Sequence, residues 1–223
     1  MRTNKKPLIS RKIVFASSNR HKFEEIRAML APAEVDLLFG PDTLSRGLVP
    51  DVIENAPSYA GNSMKKALAW SRNLGMPVLA DDSGLEVRSL GWAPGIMSAR
   101  VAPDDRGRID WLLERLEGVA DRCARFVAAL AFFDADRGEW LLAEGICPGS
   151  ISGEPSGGSG FGYDPVFVPE GYEKTLAALG PDVKSKISHR AIAAGALSRM
   201  LEKGCMVEYV FVSRKESSGR CSG

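Results

Sequence analysis

Short apolar runs of β type alternate along this chain with segments whose apolar residues recur at helical spacing. That alternation points to helices layered on a sheet. Residues 12–16 (KIVFA) form one such run and lead directly into Ser17-Ser18-Asn19. Phe23, Ile26, Met29 and Leu30 then recur at helical spacing until Ala31-Pro32. The pattern predicts strand, polar turn and helix, with Ser or Asn capping the helix start. Residues 35–39 read as a second strand, and the Pro- and Asp-dotted stretch 40–58 as loop. A helix is expected over 59–74, stopped by Gly75-Met76-Pro77. A strand at 78–80 then runs into Asp81-Asp82-Ser83-Gly84. A helix follows over 106–117, then paired strands over 124–134 and 139–147 about a turn at 134–138. A Gly-rich loop at 152–160 precedes a strand at 165–168, a last helix over 188–203 and a last strand over 206–212. The expectation is an α/β fold with a mixed sheet.

At 223 residues the chain suits one large domain, placed at 12–212, with a basic extension at 1–11 and a polar tail at 213–223. The 44% hydrophobic and 26% charged fractions are those of a globular protein. With 29 Lys+Arg against 28 Asp+Glu and a pI near 7.6, no polyanion-binding surface and no nucleic-acid partner are expected. Any anionic ligand must be met by a local site. The longest apolar run, 126–133, is far short of the roughly 20 residues a membrane span needs, so no membrane partner is expected. Residues 1–12 hold no signal-peptide core, and Cys123, Cys147, Cys205 and Cys221 form no C-x-x-C pair. The four cysteines therefore read as reduced thiols of a soluble, cytoplasmic protein.

Four clusters carry candidate chemistry. Ser17-Ser18-Asn19-Arg20-His21-Lys22 lies where a strand turns into a helix, so unpaired backbone N–H groups and the positive helix end can receive phosphate, with Lys22 one turn in. The same residues also make an ordinary helix cap with a solvated lysine. Asp81-Asp82-Ser83-Gly84 follows an apolar strand, where α/β sheets bind ligands. Adjacent carboxylates on an extended chain point to opposite sides, so one can be structural while the other binds Mg²⁺ or activates water. Glu54 is a candidate second oxygen ligand, and a plain Asp-Ser-Gly turn is the alternative. Residues 157–165 (GGSGFGYDP) lack the G-x-G-x-x-G spacing. They allow close backbone approach to a flat ligand with Phe161 and Tyr163 at hand, or simply a flexible connection. In 184–190 (KSKISHR) Ser188 can cap the last helix, which sets His189 and Arg190 against the helix dipole and favours an anionic or carbonyl-bearing ligand over a solvated turn. Two histidines without paired cysteines make a zinc site a poor fit, and no G-x-S-x-G elbow supports acyl transfer.

Taken in order, these segments resemble the inosine triphosphatase (Ham1-like) family of non-standard purine nucleoside-triphosphate pyrophosphatases over about residues 12–212. The most specific parts are 80–85 (ADDSGL) with 91–100 (GWAPGIMSAR), 160–165 (GFGYDP) and 184–190. The resemblance implies an elongated mixed sheet flanked by helices, two lobes with a central substrate cleft, and a homodimer. It implies Mg²⁺-dependent attack of water on the α-phosphorus of ITP, dITP or XTP, giving monophosphate and pyrophosphate and cleansing the nucleotide pool. By position, Ser17, Ser18, Asn19, Arg20, His21 and Lys22 match the phosphate-binding turn, and Lys66 a phosphate-contacting lysine. Glu54 matches a metal-binding glutamate. Asp82 matches the proton acceptor and metal ligand, with Ser83 beside it on the substrate. Phe161, Gly162, Tyr163, Asp164, Lys184, His189 and Arg190 match substrate-binding positions, those of the base pocket included.

Departures from the family pattern are Ser18 for a glycine, Asn55-Ala56 for Thr-Gly, Gly61 for a second glutamate, Val101-Ala102-Pro103 for Tyr-Ala-Gly, and Ala178 for a glutamate. None removes a proposed catalytic group. Two other functions use the same residues: a general nucleotide phosphatase, which would release orthophosphate, and a catalytically silent nucleotide-binding sensor.

Overall fold

A computed structural model describes residues 12–44, 49–203 and 210–212. The expected extension at 1–11, the tail at 213–223 and residues 204–209, which include the start of the strand expected over 206–212, lie outside the described residues. The strands are β1 (Lys12–Phe15), β2 (Asp36–Phe39), β3 (Val78–Val87), β4 (Ala93–Pro94), β5 (Cys123–Asp134), β6 (Glu139–Ile151), β7 (Phe167–Pro169) and β8 (Val210–Val212). The helices are α1 (Arg20–Leu30), α2 (Tyr59–Leu74), α3 (Asp105–Arg115), α4 (Leu176–Leu179), α5 (Pro181–Ile187) and α6 (His189–Lys203). The sheet order is β2-β1-β3-β5-β6-β7, with β4 beside β3 and β8 beside β6. β1 pairs in parallel with β2 and with β3, whereas β3–β4 and β6–β7 are antiparallel, so the sheet is mixed as expected.

The chain divides into two compact units. The first holds the chain up to Asp82, with Ala129–Glu144 and the part of α6 from Ala193. Its core gathers Val14, Ala16, Ala67, Trp70, Val78, Ala80 and Ala131. Three helix signals act as the sequence suggests. Asn19 caps α1 by accepting from the Lys22 N–H, Ser58 caps α2 by accepting from the Gly61 N–H, and Gly75, at φ 63°, ends α2 in the left-handed region.

The second unit holds Ser83–Ala128 and Gly145–Ile192. Leu85, Val87, Ile109, Leu112, Leu116, Phe126, Tyr163, Val166, Phe167 and Leu176 form its core. Here α4 and α5 are additions to the expected elements. Thr175 caps α4 by accepting from the Ala178 N–H, and Gly180, at φ 81°, turns the chain into Pro181 at the start of α5.

Two expectations are corrected. The strand expected at 78–80 continues to Val87, because Leu85 and Val87 are fully buried and keep the extended chain in the core. Cys147 is a buried free thiol, but Cys123 is disulfide-bonded, so four reduced thiols are not what the structure contains. Sequence spacing excludes only a local pair and leaves a bond between distant cysteines open.

Candidate active site

In the first unit, β1 lies beside β3 with Val14 opposite Val78 and Phe15 opposite Leu79. The Ala16 N–H still donates to the Leu79 carbonyl at 2.8 Å, after which β3 runs on without β1. Asp81 and Asp82 therefore sit where the parallel part of the sheet ends, although not where their own strand ends. Their side chains are buried, and helices answer them. Lys22 in the first turn of α1 reaches Asp81 Oδ2 at 2.6 Å. On α2, Asn62 Nδ2 donates to Asp82 Oδ2 at 3.0 Å. One turn further along, Lys66 Nζ donates to the Asp81 carbonyl at 2.6 Å, pairs with Glu54 Oε1 at 2.7 Å and lies 3.7 Å from Asp82 Oδ1.

Burial is the largest influence on Asp82 and raises its pKa above the ordinary carboxylate value. The attraction of Lys66, the Asn62 hydrogen bond and the attraction of Lys22 oppose it, and the charge of Asp81 adds to it. A buried, more basic carboxylate beside cations is what general-base work requires.

Before α1, Ser17 Oγ accepts from the Asn19 N–H at 3.1 Å and shapes the turn, while Ser18 is exposed. Arg20 is turned outward, paired with Asp42 at 3.3 Å and stacked over Phe39 at 4.3 Å, and His21 is exposed. Of this cluster, Lys22 joins the aspartates directly. The α2 approach also accounts for two departures from the family pattern. A Cβ built on Gly61 would come within 2.7 Å of the Ala56 Cβ, so the methyl at 56 and a side chain at 61 exclude each other.

In the second unit, the 160–164 loop is held by its own aspartate. Asp164 Oδ2 accepts from the Phe161 N–H at 2.9 Å and is ion-paired with Lys184 of α5. Gly160, at φ 82°, has no room for a Cβ, which would fall 2.2 Å from that carboxylate. Lys184 Nζ lies 4.6 Å and Arg190 Cζ 5.1 Å from the Phe161 ring centroid, two cations near one aromatic ring. Arg190 also donates to Ser83 Oγ at 2.7 Å. Ser188 caps α6 as expected, accepting from the Ala191 N–H at 3.2 Å, and the His189 ring stacks on Phe126 at 4.7 Å.

Tyr163 departs from its expected role as a stacking surface. Its ring is buried in the core, its hydroxyl donates to the Ser98 carbonyl at 3.0 Å, and burial pushes its pKa up to about 12. It anchors the loop, and Phe161 remains the half-buried aromatic of the pair.

The structure thus gathers Glu54, Lys66, Asp82 and Lys22 in one unit, and Ser83, Phe161, Asp164, Lys184 and Arg190, with His189 on α6, in the other. Sequence reasoning missed Asn62, Asp105 and Phe126. Asp105 accepts the Gly162 N–H at 2.7 Å and is paired with Arg108 at 2.7 Å. Asn62 precedes Lys66 by four residues, a spacing that puts both on one helix face, and that was the available signal. Among the described residues no three acidic, His or Cys side chains form a metal cluster. Glu54 and Asp82 nevertheless direct oxygens at one cationic centre, Lys66 Nζ. Two carboxylates, with substrate phosphates supplying further oxygens, are a donor set that fits Mg²⁺.

The Ham1 family model matches residues 13–200 of this chain. A dITP/XTP pyrophosphatase of Syntrophobacter fumaroxidans is 43% identical over 198 residues, 86% of this chain and 82% of that protein. One of Christiangramia forsetii is 42% identical over 195 residues, 86% of this chain and 100% of that protein. Among solved structures, a HAM1 protein from Coxiella burnetii is similar at a TM-score of 0.77 and 35% identity, covering 87% of this chain and 100% of that one.

Proposed function

The chain belongs to the Ham1 family, and from that premise we propose that it is a nucleoside-triphosphate pyrophosphatase acting on the non-standard purines ITP, dITP and XTP. Water attacks the α-phosphorus, the bond to the β-phosphate oxygen breaks, and monophosphate and pyrophosphate leave. The observation that carries this reading is the buried Asp82, raised in pKa by burial and held between Asn62 and the Lys66 ammonium.

A nucleoside triphosphate carries about four negative charges, so its hydrolysis depends on positioned cations more than on covalent chemistry. Lys22, Lys66 and the backbone N–H groups at the start of α1 receive the phosphates. Glu54 and Asp82 would hold Mg²⁺, which when bound neutralises phosphate charge and makes the bound water more acidic. Asp82 orients the attacking water and takes its proton. Ser83, joined to Arg190, meets the substrate next to Asp82 in the chain. Phe161, with Lys184 beside its ring, offers an aromatic surface to the purine, and His189 and Arg190 donate to its 6-oxo group. Adenine presents an amino donor at that position, so those buried donors would be left unpaired against ATP, a mismatch that discriminates strongly. The enzyme works as a cytoplasmic homodimer in this reading, which sedimentation would report as twice the chain mass. No helix among the described residues is long and apolar enough to cross a membrane.

The test is a panel of nucleoside triphosphates with Mg²⁺, scored for products. Inosine monophosphate plus pyrophosphate from ITP, with ATP turned over far more slowly, is the expected result. Orthophosphate release would identify a general phosphatase, and binding without product a sensor.

A further inference from the structure

Asn62 is a polar side chain in the first turn of α2 that is 1% exposed, a position where an apolar residue would cost nothing in desolvation. Both ends of its amide are used. Its Oδ1 accepts from the Ala56 N–H at 2.9 Å, and its Nδ2 donates to Asp82 Oδ2 at 3.0 Å. A backbone N–H can only donate, so the amide oxygen must face Ala56 and the NH₂ group must face Asp82. Ala56 stands two residues beyond Glu54 on the same segment. One planar group therefore ties the segment carrying Glu54 to the carboxylate of Asp82. Four residues along the helix, Lys66 pairs with Glu54 at 2.7 Å and lies 3.7 Å from the other oxygen of Asp82, Oδ1.

We propose that Asn62 is a positioning residue that commits Asp82 Oδ2 to a hydrogen bond and leaves Oδ1 for the divalent cation and the attacking water. The inference rests on the pyrophosphatase reading above and deepens it. Glu54 and Asp82 lie 28 positions apart in the chain, and a carboxylate on a free χ2 torsion would present either oxygen at many angles. The amide of Asn62 sets both the rotation of Asp82 and the approach of the Glu54 segment, a function that Ala, Leu or Ser at this site does not supply.

Two variants separate positioning from packing. Asn62→Asp keeps the side-chain shape and an acceptor for Ala56 but loses the donor to Asp82; Asn62→Leu keeps the volume and loses both bonds. In each, kcat for ITP should fall roughly 100-fold, as when one positioned donor is removed from an active site. KM should stay within about threefold, because phosphate and base contacts come from other residues. A readout without turnover is the Asn62 side-chain NH₂ resonance of the wild-type protein, which should shift when Mg²⁺ is added to the substrate-free enzyme. A folded variant with kcat near wild type, a loss confined to KM, or an NH₂ resonance indifferent to Mg²⁺ overturns the inference. Should neither variant fold, the wild-type resonance decides alone. A wild-type protein that releases no pyrophosphate from ITP yet shows the shift would instead sink the functional reading and leave the placement of Asn62 standing.

Discussion

Replacing Asp82 by Asn should abolish turnover and at the same time make the protein more stable. Asp82 is 7% exposed, and burial, the largest influence on its carboxylate, raises its pKa despite Lys66, Asn62 and Lys22. A folded-state pKa above the unfolded value means that the native state binds this proton more tightly. Its contribution to stability is full below the unfolded carboxylate pKa and is lost as the pH rises through the folded value. At neutral pH the ionised Asp82 therefore works against folding. An amide in its place removes that cost and strands little. Asn62 can still donate to the amide oxygen, and Lys66 keeps Glu54 at 2.7 Å and the Asp81 carbonyl at 2.6 Å. Relief of such functional strain is commonly worth about 0.5–2 kcal/mol. For a chain of this size each kcal/mol corresponds to roughly 2–4 °C in melting temperature. Loss of the proton acceptor alone should cost about 10²–10⁴ in kcat. Pyrophosphate release from ITP with Mg²⁺ measures the first effect, and melts of both proteins from pH 8 down through the carboxylate range the second. The melting advantage of Asp82→Asn should shrink on acidification as the wild-type carboxyl takes up its proton. Near-normal ITP hydrolysis would refute the catalytic assignment. A variant less stable than wild type at pH 8, or a gap that stays constant as the pH is lowered through the carboxylate range, would refute the argument from burial.

Further outcomes follow from other residues. Arg190→Ala should lower the kcat/KM ratio of ITP over ATP by roughly 10-fold or more, since one well-placed donor is lost from base reading; an unchanged ratio removes Arg190 from that role. Tyr163, with its pKa pushed to about 12, should stay un-ionised in a spectrophotometric titration while ordinary tyrosines titrate near 10, and Tyr163→Phe should remove that late component. Gly61→Ala should destabilise the protein by about 1–3 kcal/mol through overpacking against Ala56, and adding Ala56→Gly should recover most of the loss. Additive denaturation midpoints for that pair would show that the two sites do not share space.

Much of the fold is legible because its elements are amphipathic. α1, α2, α3 and α6 announce themselves by apolar spacing, and Asn19, Ser58 and Gly75 mark ends that the structure uses. The failures are equally physical. β3 runs straight through Asp-Asp-Ser-Gly, residues that elsewhere make turns, because Lys22, Asn62 and Lys66 satisfy the aspartates in place. α4 and α5 are one or two turns long, too short for a period to show, and depend on Thr175 and on the turn at Gly180. In the candidate site, Lys22, Asp82 and Arg190 could be named because their chemistry is explicit in the residue type, and Lys66 only because the family resemblance points to its position. Asn62 and Asp105 could not, because each acts through a hydrogen bond whose partner only the folded chain brings near.

The departures from the family pattern show where reading position by position breaks down. Taken singly, Ala56 for a glycine adds a methyl beside the Glu54 segment, and Gly61 for a glutamate weakens the first turn of α2. In space the two changes are one. The Ala56 methyl fills the volume that a Cβ at 61 would need, and Gly61 yields it. The exchange keeps the segment close enough for the Ala56 N–H to reach Asn62, and hence for Glu54 to reach Lys66. A glycine at a helix N-terminal turn costs less than one in the interior, where the penalty is roughly 1 kcal/mol, and Ser58 Oγ still caps the turn by accepting from the Gly61 N–H. The loss is therefore local and small, while the geometry it preserves is that of the two carboxylates on which hydrolysis depends.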